Sequence, residues 1–328
     1  MAIKITYLLG AGASANALPL IKSNPTNGKL GLPEQLKGFA ENYRGSSFST
    51  SDMANRLIAI AEKCIQFGTP DLYAKYLLEI GDRGQYELLK KLLANYFYER
   101  QALPFTNSGQ GCFDHRALSF LTTIAQNEKL PPNVGALSWN YDNQIEIAAQ
   151  KLKPINSQVH NRIKGFTCWP NFQDSYNFDE RIPYSFKEIF LLHLNGVAGY
   201  SYSERTFSEK TNAVYNFENA GNTMLSFAWE DDSNDNKRIF IEQRIEYARR
   251  IAEGTEILVV VGYSFPFFNR RVDDMLIDAM RSTLTKIYYQ DPCLDGSQLA
   301  TQFNLTGEAA VKIEHVSRID NYHIPYEL

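Results

Sequence analysis

Ile3-Lys4-Ile5-Thr6-Tyr7-Leu8-Leu9-Gly10-Ala11-Gly12-Ala13-Ser14-Ala15 is the stretch on which the fold turns. Its first half is a short apolar run with β-branched residues, stopped by Gly10, which is the pattern of a buried strand. Its second half places Gly10, Gly12 and Ala15 in a G-x-G-x-x-A pattern directly after that strand. In such a pattern the first glycine makes the tight turn and the second lets backbone approach a pyrophosphate. The small third residue permits close packing, and helix N–H groups then face the phosphates. Asn16 to Ile21 is expected to begin that helix. An ordinary strand-to-helix turn without a ligand explains the same residues. The acid expected roughly 20 residues further on is not convincing, because Glu34 sits in no recognisable second strand.

Further along the chain, Leu57, Ile58, Ile60, Ala61, Cys64 and Ile65 recur at helical spacing. So do Leu88, Leu89, Leu92, Leu93, Tyr96 and Phe97, and later Leu118, Leu121 and Ile124. Residues 32–126 therefore form a helical insertion, divided by breakers at Gly68-Thr69-Pro70, Gly81 to Gly84 and Pro104 to Gly111. Val134 to Ser138 is a second strand, with a helix following through Gln150. Residues 154–238 are aromatic, Asn-rich and irregular; within them Glu188 to His193 is a third strand and Asp231 to Asn236 an acidic turn. A helix near Ile239 to Glu253 leads to Ile257 to Val261, five consecutive aliphatic residues stopped by Gly262. A parallel strand covered on both faces has this composition. A helix at Val272 to Arg281, a strand at Ile287 to Gln290 and an edge strand after Val311 complete the pattern. Strands alternating with helices imply one α/β domain over residues 1–328, with a Rossmann-like parallel sheet.

The bulk composition narrows the function. The 328 residues carry a formal net charge of −4, with 44% hydrophobic and 21% charged residues, which is an ordinary globular balance. That charge argues against direct nucleic-acid binding through phosphate contacts. An anionic ligand would rely on backbone N–H groups and a few placed side chains. Cys64, Cys112, Cys168 and Cys293 are scattered without C-x-x-C spacing, so neither a zinc site nor a disulfide scaffold is expected. No apolar run approaches the ~20 residues of a membrane span, and the N-terminus has no signal-peptide layout. A cytoplasmic protein away from membranes is the expectation.

Three more groups lie at the ends of predicted strands. Ser138-Trp139-Asn140-Tyr141-Asp142 follows the second strand, where Asn140 or Asp142 would equally serve as a helix cap. His193 ends the third, before Leu194-Asn195-Gly196; a histidine there is often a satisfied structural residue. Gly262-Tyr263-Ser264-Phe265-Pro266 follows the aliphatic strand and is also explained as a glycine-stopped loop. Each signal is modest alone. Together they put polar and glycine-rich groups at four carboxyl strand ends, where doubly wound sheets bind nucleotides.

This ordered set resembles the sirtuin fold family, and within it the bacterial sirtuin-like NAD hydrolases of anti-phage defence. The resemblance rests on Gly10-Ala11-Gly12-Ala13-Ser14, Asn140-Tyr141-Asp142, His193 with Gly196, and Gly262-Tyr263-Ser264, and spans roughly the first 290 residues. The four-cysteine zinc module of sirtuin deacylases is missing, the histidine lies further from the asparagine motif than in deacylases, and no metal is expected. The long helical insertion looks like the elaboration of the hydrolases.

The resemblance implies hydrolysis of NAD, as substrate, to nicotinamide and ADP-ribose. The leaving group departs neutral, so strong acid catalysis is unnecessary; the site must stabilise a cationic ribose and place a water. By the same resemblance Asn140 would orient the ribose and water, His193 would be the general base, and Asp142 would contact the carboxamide. Gly10, Ala11, Gly12 and Ser14 would hold phosphates, Gly262 and Ser264 would lie near the diphosphate and ribose, and Asp291 would take the adenosine ribose hydroxyls. Phe265, Pro266 and Phe267 would form an apolar wall, or simply pack. A hydrolase of this kind needs restraint, through a homo-oligomer or a partner such as a DNA-translocating ATPase or an Argonaute-like protein. The alternatives are a non-catalytic NAD or ADP-ribose sensing module, an NAD-dependent protein deacylase or ADP-ribosyltransferase, and a phosphate-binding scaffold without an NAD role.

Overall fold

A computed structural model describes residues 4–23, 28–44, 50–102, 112–152, 165–169, 190–198, 200–203, 206–209, 217, 222–230, 235–305 and 311–328. The expected breaker at Pro104 to Gly111, most of the irregular stretch 154–238 and residues 231–234 of the expected acidic turn lie outside these residues.

The opening run forms strand β1 (Ile5–Leu9). It is followed by five helices: α1 (Leu32–Arg44), α2 (Ser51–Phe67), α3 (Pro70–Glu79), α4 (Arg83–Ala102) and α5 (His115–Ile124). Local chemistry sets these boundaries. The Thr50 and Thr69 hydroxyls accept from Met53 N and Leu72 N at the starts of α2 and α3, and Pro70 occupies the first turn of α3, where its missing N–H costs nothing. Gly68 ends α2 in the left-handed region, as helix ends commonly do.

Strand β2 (Val134–Ser138) leads to α6 (Gln144–Lys151), then β3 (Cys168–Trp169) and β4 (Leu191–His193). A small antiparallel sheet follows, with β5 (Tyr200–Ser203) between β6 (Thr206–Glu209) and β7 (Asn222–Thr223). The chain closes with α7 (Asp235–Ala252), β8 (Ile257–Val261), α8 (Arg270–Met280), β9 (Lys286–Gln290), α9 (Gln298–Gln302) and β10 (Lys312–Val316). The seven main strands are all parallel, in the order β10-β9-β8-β1-β2-β4-β3. With β3 set aside as an outer addition, chain order across the sheet is 3-2-1-4-5-6, the Rossmann arrangement, whose switch point lies between β1 and β8.

One expectation fails here. No helix begins at Asn16 to Ile21; a single 3-10 turn at Ala11–Ser14 is followed by turns, because Pro19 lacks the N–H a helix would need and the loop bonds elsewhere. The described residues of the stretch after α6 contribute β3 and the antiparallel sheet, which the sequence did not indicate. Strands of two to four residues are too short to show a period.

Both faces of the sheet are covered. Leu8, Leu137, Leu192, Leu258 and Val260 pack toward α7 and α8. Their neighbours Ile5, Tyr7, Leu9, Val134, Ala136, Val259 and Val261 pack toward α5 and α6. This two-sided burial explains why β1 and β8 are continuously apolar. A third core joins α1 to α4 with Phe217, Leu225 and Phe227. Among the described residues no helix is long and apolar enough to cross a membrane.

Gly196, just beyond β4, has φ +68°, and a Cβ there would stand 1.9 Å from the Met224 carbonyl oxygen. Gly196→Ala should therefore cost about 2 kcal/mol or more. The check is the urea midpoint, which falls if the close approach is obligatory and is unchanged if the Met224 segment simply moves away.

Candidate functional site

The parallel register places the last residues of five strands in one row. His193 pairs with Ser138, Ser138 with Leu9, Leu9 with Val261, and Val261 with Gln290. Gly10, Asn140, Asp142, Gly262 and Asp291 lie just past that row, so the sequence candidates converge on one carboxyl edge. They do not all converge on one surface.

The loops after β1 and β8 interlock. Gly12 N donates to Gly262 O at 2.9 Å and Gly10 N to Val261 O at 3.0 Å. A Cβ on Gly12 would lie 2.6 Å from Gly262 Cα, and one on Gly10 would lie 2.5 Å from Gly262 O. The glycines thus serve backbone-to-backbone contact across the switch point. Arg116 clasps the same loop from outside. Its guanidinium is chelated by Asp114 and donates to the Gly12 and Ala13 carbonyls at 3.1 Å each. The Tyr322 hydroxyl also donates to Ala13 O at 2.8 Å. Ala11 is half-buried in this loop and Ser14 is buried.

Asn140, Ser14 and Asp142 form a chain of hydrogen bonds. The Asn140 side-chain amide donates to Gly10 O at 2.8 Å and to the Ser14 hydroxyl at 3.3 Å, and the Ser14 hydroxyl bonds to Asp142. Asp142 Oδ1 accepts from Gln144 N at 3.1 Å. Asp142 thus holds the first N–H of α6 from one residue before the N-cap, Asn143, whose own side chain makes no cap hydrogen bond, and Asn140 takes no part in capping. Burial pushes the Asp142 carboxyl up to about 6, against the hydrogen bonds from Ser14 and Gln144.

His193 is fully buried. Its Nε2 lies 2.6 Å from Glu146 Oε1 and its Nδ1 3.4 Å from the Asn140 carbonyl. Both partners are acceptors, so the ring satisfies both only as imidazolium. Burial opposes that charge, but the Glu146 carboxylate and its hydrogen bond, Asp142 and the Asn140 carbonyl outweigh it and hold the pKa above the ordinary histidine value. Glu146 was not a sequence candidate; an acid in the first turn of α6 was the only signal, and the dipole of the helix explains such an acid equally well.

A second carboxyl missed by the sequence ties the β2 and β8 loops together. Asp273, buried on α8, accepts from Trp139 Nε1 at 3.2 Å and from the Tyr263 hydroxyl at 2.8 Å. Those two rings stack, with centroids 5.9 Å apart. Burial pushes Asp273 up to about 8, against both hydrogen bonds.

A cavity of about 500 Å³ opens on the same edge, lined by Gly12, Gly262 and Asp291 together with residues of the segment 15–30 and of α1 and α4. Its size suits a small-molecule ligand. Asn140, Asp142 and His193 do not line it, and neither does Ser264, which is exposed. Asp291 Oδ1 accepts from Cys293 N and Leu294 N at 2.8 Å each, fixing the turn after β9. Among the described residues no group of His, Cys, Asp and Glu side chains has the arrangement of a metal site. Compared with known proteins, the chain matches no family model and no curated sequence.

Asp142, Asp273 and His193 all have folded pKa values above their ordinary ones, so the native state keeps protons that the unfolded chain has released. Their contribution is complete below the unfolded pKa and is lost as pH rises through the folded value. For Asp273 that window runs from the ordinary carboxylate range to about 8. Asp273→Asn should flatten the fall in Tm between about pH 5 and about pH 8. A steeper fall in the variant would mean that the native carboxylate is charged and held by its donors.

Proposed function

We propose that this chain is a sirtuin-like NAD glycohydrolase that cleaves NAD to nicotinamide and ADP-ribose. The observation that carries the reading is the placement of Asn140. Its amide lies beside the switch point of a Rossmann-ordered sheet, against the glycine loop, and is not used as the helix cap that would otherwise explain it. A histidine–carboxylate pair holds the peptide of that same residue. The adjacent cavity meets Gly12, Gly262 and Asp291 and has room for a nucleotide.

In the reaction a water oxygen bonds to the ribose C1′ while the C1′–N bond breaks, its electron pair leaving with neutral nicotinamide. Asn140 orients the ribose and the water. To do so its amide turns away from Gly10 and Ser14. His193 becomes a base only after losing a proton, and the one facing the Asn140 carbonyl across 3.4 Å is the more weakly held. Asp142, kept partly neutral by burial, is suited to a carboxamide, which both donates and accepts. Closure over these side chains matches an effector that stays restrained until an oligomer or partner opens it, as an anti-phage hydrolase requires. A second reading, a module that binds NAD or ADP-ribose and signals, is favoured by one fact: the Asn140 amide and both His193 nitrogens are already engaged.

Asn140→Ala should lower nicotinamide release by about 100-fold while ADP-ribose affinity changes little. Nicotinamide release by chromatography and calorimetry of ADP-ribose provide the check. Equal loss of both would make Asn140 structural, and binding without any release by the wild type would favour the sensing module. The rate should also rise with pH through a pKa above the ordinary histidine value, and Glu146→Gln should move that limb to lower pH, because the carboxylate is what raises it. An unmoved limb would remove His193 as the base.

A further inference from the structure

The glycine loop, where a dinucleotide's phosphates are expected, has few donors to give. Gly10 N and Gly12 N bond to Val261 and Gly262, Ala13 N to Gly10 and Ala15 N to Gly12. Asn16 N bonds to Asp114 Oδ2 at 3.3 Å. A diphosphate in the cavity would therefore find little backbone to neutralise it, in a chain whose net charge is already −4.

The cavity wall supplies what the loop lacks. Four cations line it, Lys22, Lys29, Arg100 and Arg116, against one carboxylate, Asp291. Arg116 is committed to Asp114 and the loop carbonyls, and Lys29 reaches Ala15 O at 3.5 Å. Arg100 and Lys22 form no ion pair with any described residue. Arg100 is exposed in the last turn of α4, its guanidinium 5.6 Å from the centre of the Tyr96 ring. The Tyr96 hydroxyl is fixed in turn by Gln35 Oε1 of α1 at 2.7 Å. The guanidinium also donates to the Tyr96 hydroxyl, which holds the planar fork at the cavity wall and leaves others of its five N–H donors for a phosphate. A cation near a helix C-terminus also suits the helix dipole, but that does not explain Lys22, which belongs to no helix.

We propose that Arg100 of the helical layer and Lys22 of the rim form the phosphate subsite of this cavity, which takes ligands carrying a nucleoside diphosphate. The inference rests on the NAD reading for its ligand class and deepens it: the helical insertion forms one wall of the site. Charge recognition passes from the glycine loop, which packs, to side chains from the opposite wall.

Calorimetry of the full chain with ADP, inorganic pyrophosphate and adenosine tests it. ADP should bind, and pyrophosphate should compete with it. Arg100→Gln should weaken ADP about tenfold with a shallower dependence on salt, Lys22→Gln should weaken it less, and adenosine should change under about twofold. Arg100→Lys should keep part of the affinity. If Arg100→Gln lowers the thermal midpoint, Lys22→Gln serves as the test alone. ADP bound equally by wild type and both Gln variants, or not bound by the wild type, overturns the proposal. Nicotinamide release that ignores Arg100 and Lys22 would also overturn it while leaving NAD hydrolysis standing. ADP binding lost in the variants of a chain that releases no nicotinamide would uphold the subsite and remove hydrolysis.

Discussion

The contact between Gly12 and Gly262 governs how this carboxyl edge is built. Two adjacent parallel strands, β1 and β8, leave the sheet at the switch point, and their loops meet backbone to backbone where any side chain would collide. That contact brings the Asn140 amide onto Gly10 O and lets Arg116 and Tyr322 close over the loop from the far side. A Rossmann crevice normally lies open at this point. Here it is filled by main chain, and the space for a ligand shifts outward to a cavity roofed by α1 and α4.

The same packing explains the electrostatics. The carboxyls of Asp142 and Asp273 and the imidazole of His193 lie at the roots of the loops, out of water, and each keeps its proton to a higher pH than usual. Buried groups are tolerated when each polar atom meets a partner. Asp273 meets Trp139 and Tyr263, one from each of the two loops, so its hydrogen bonds fix the spacing of the loops that carry Asn140 and Gly262. His193 meets Glu146 and the Asn140 peptide. These side chains determine where the candidate catalytic groups stand, whatever chemistry those groups perform.

Much of the sheet was legible because burial on both faces leaves a direct trace in composition. Ile257 to Val261 and Val134 to Ser138 have the bounds their apolar runs indicate, and α2 and α3 divide at Gly68-Thr69-Pro70. The two-residue strand β3 and the antiparallel sheet left no such trace, since their pairing is decided by distant partners. At the site, Asn140, His193 and the glycines stood out because each follows a readable strand. Glu146, Asp273 and Arg100 did not. They sit within helices, where acids and cations are ordinary; only tertiary packing gives Glu146 and Asp273 their partners and brings Arg100 to the cavity wall. The helix expected at Asn16 shows the converse error: the glycine pattern suggested a helix directly after the turn, while the chain makes a single 3-10 turn and its glycines pack against Gly262.

The histidine is where structure constrains mechanism most. An imidazole flanked by a carboxylate and a carbonyl is stable as a cation, and a cation cannot begin as a base. For hydrolysis to proceed through it, the Asn140 peptide must move off Nδ1, and the Asn140 amide must leave Gly10 and Ser14 to meet a ribose. Both changes involve one residue. A single rotation or shift of the segment after β2 would therefore release the base and present the amide together, whereas movement of either group alone would leave the other engaged. In the proposed hydrolase that coupling would keep a closed site inert with all its side chains intact, and would place its control in the backbone of Asn140.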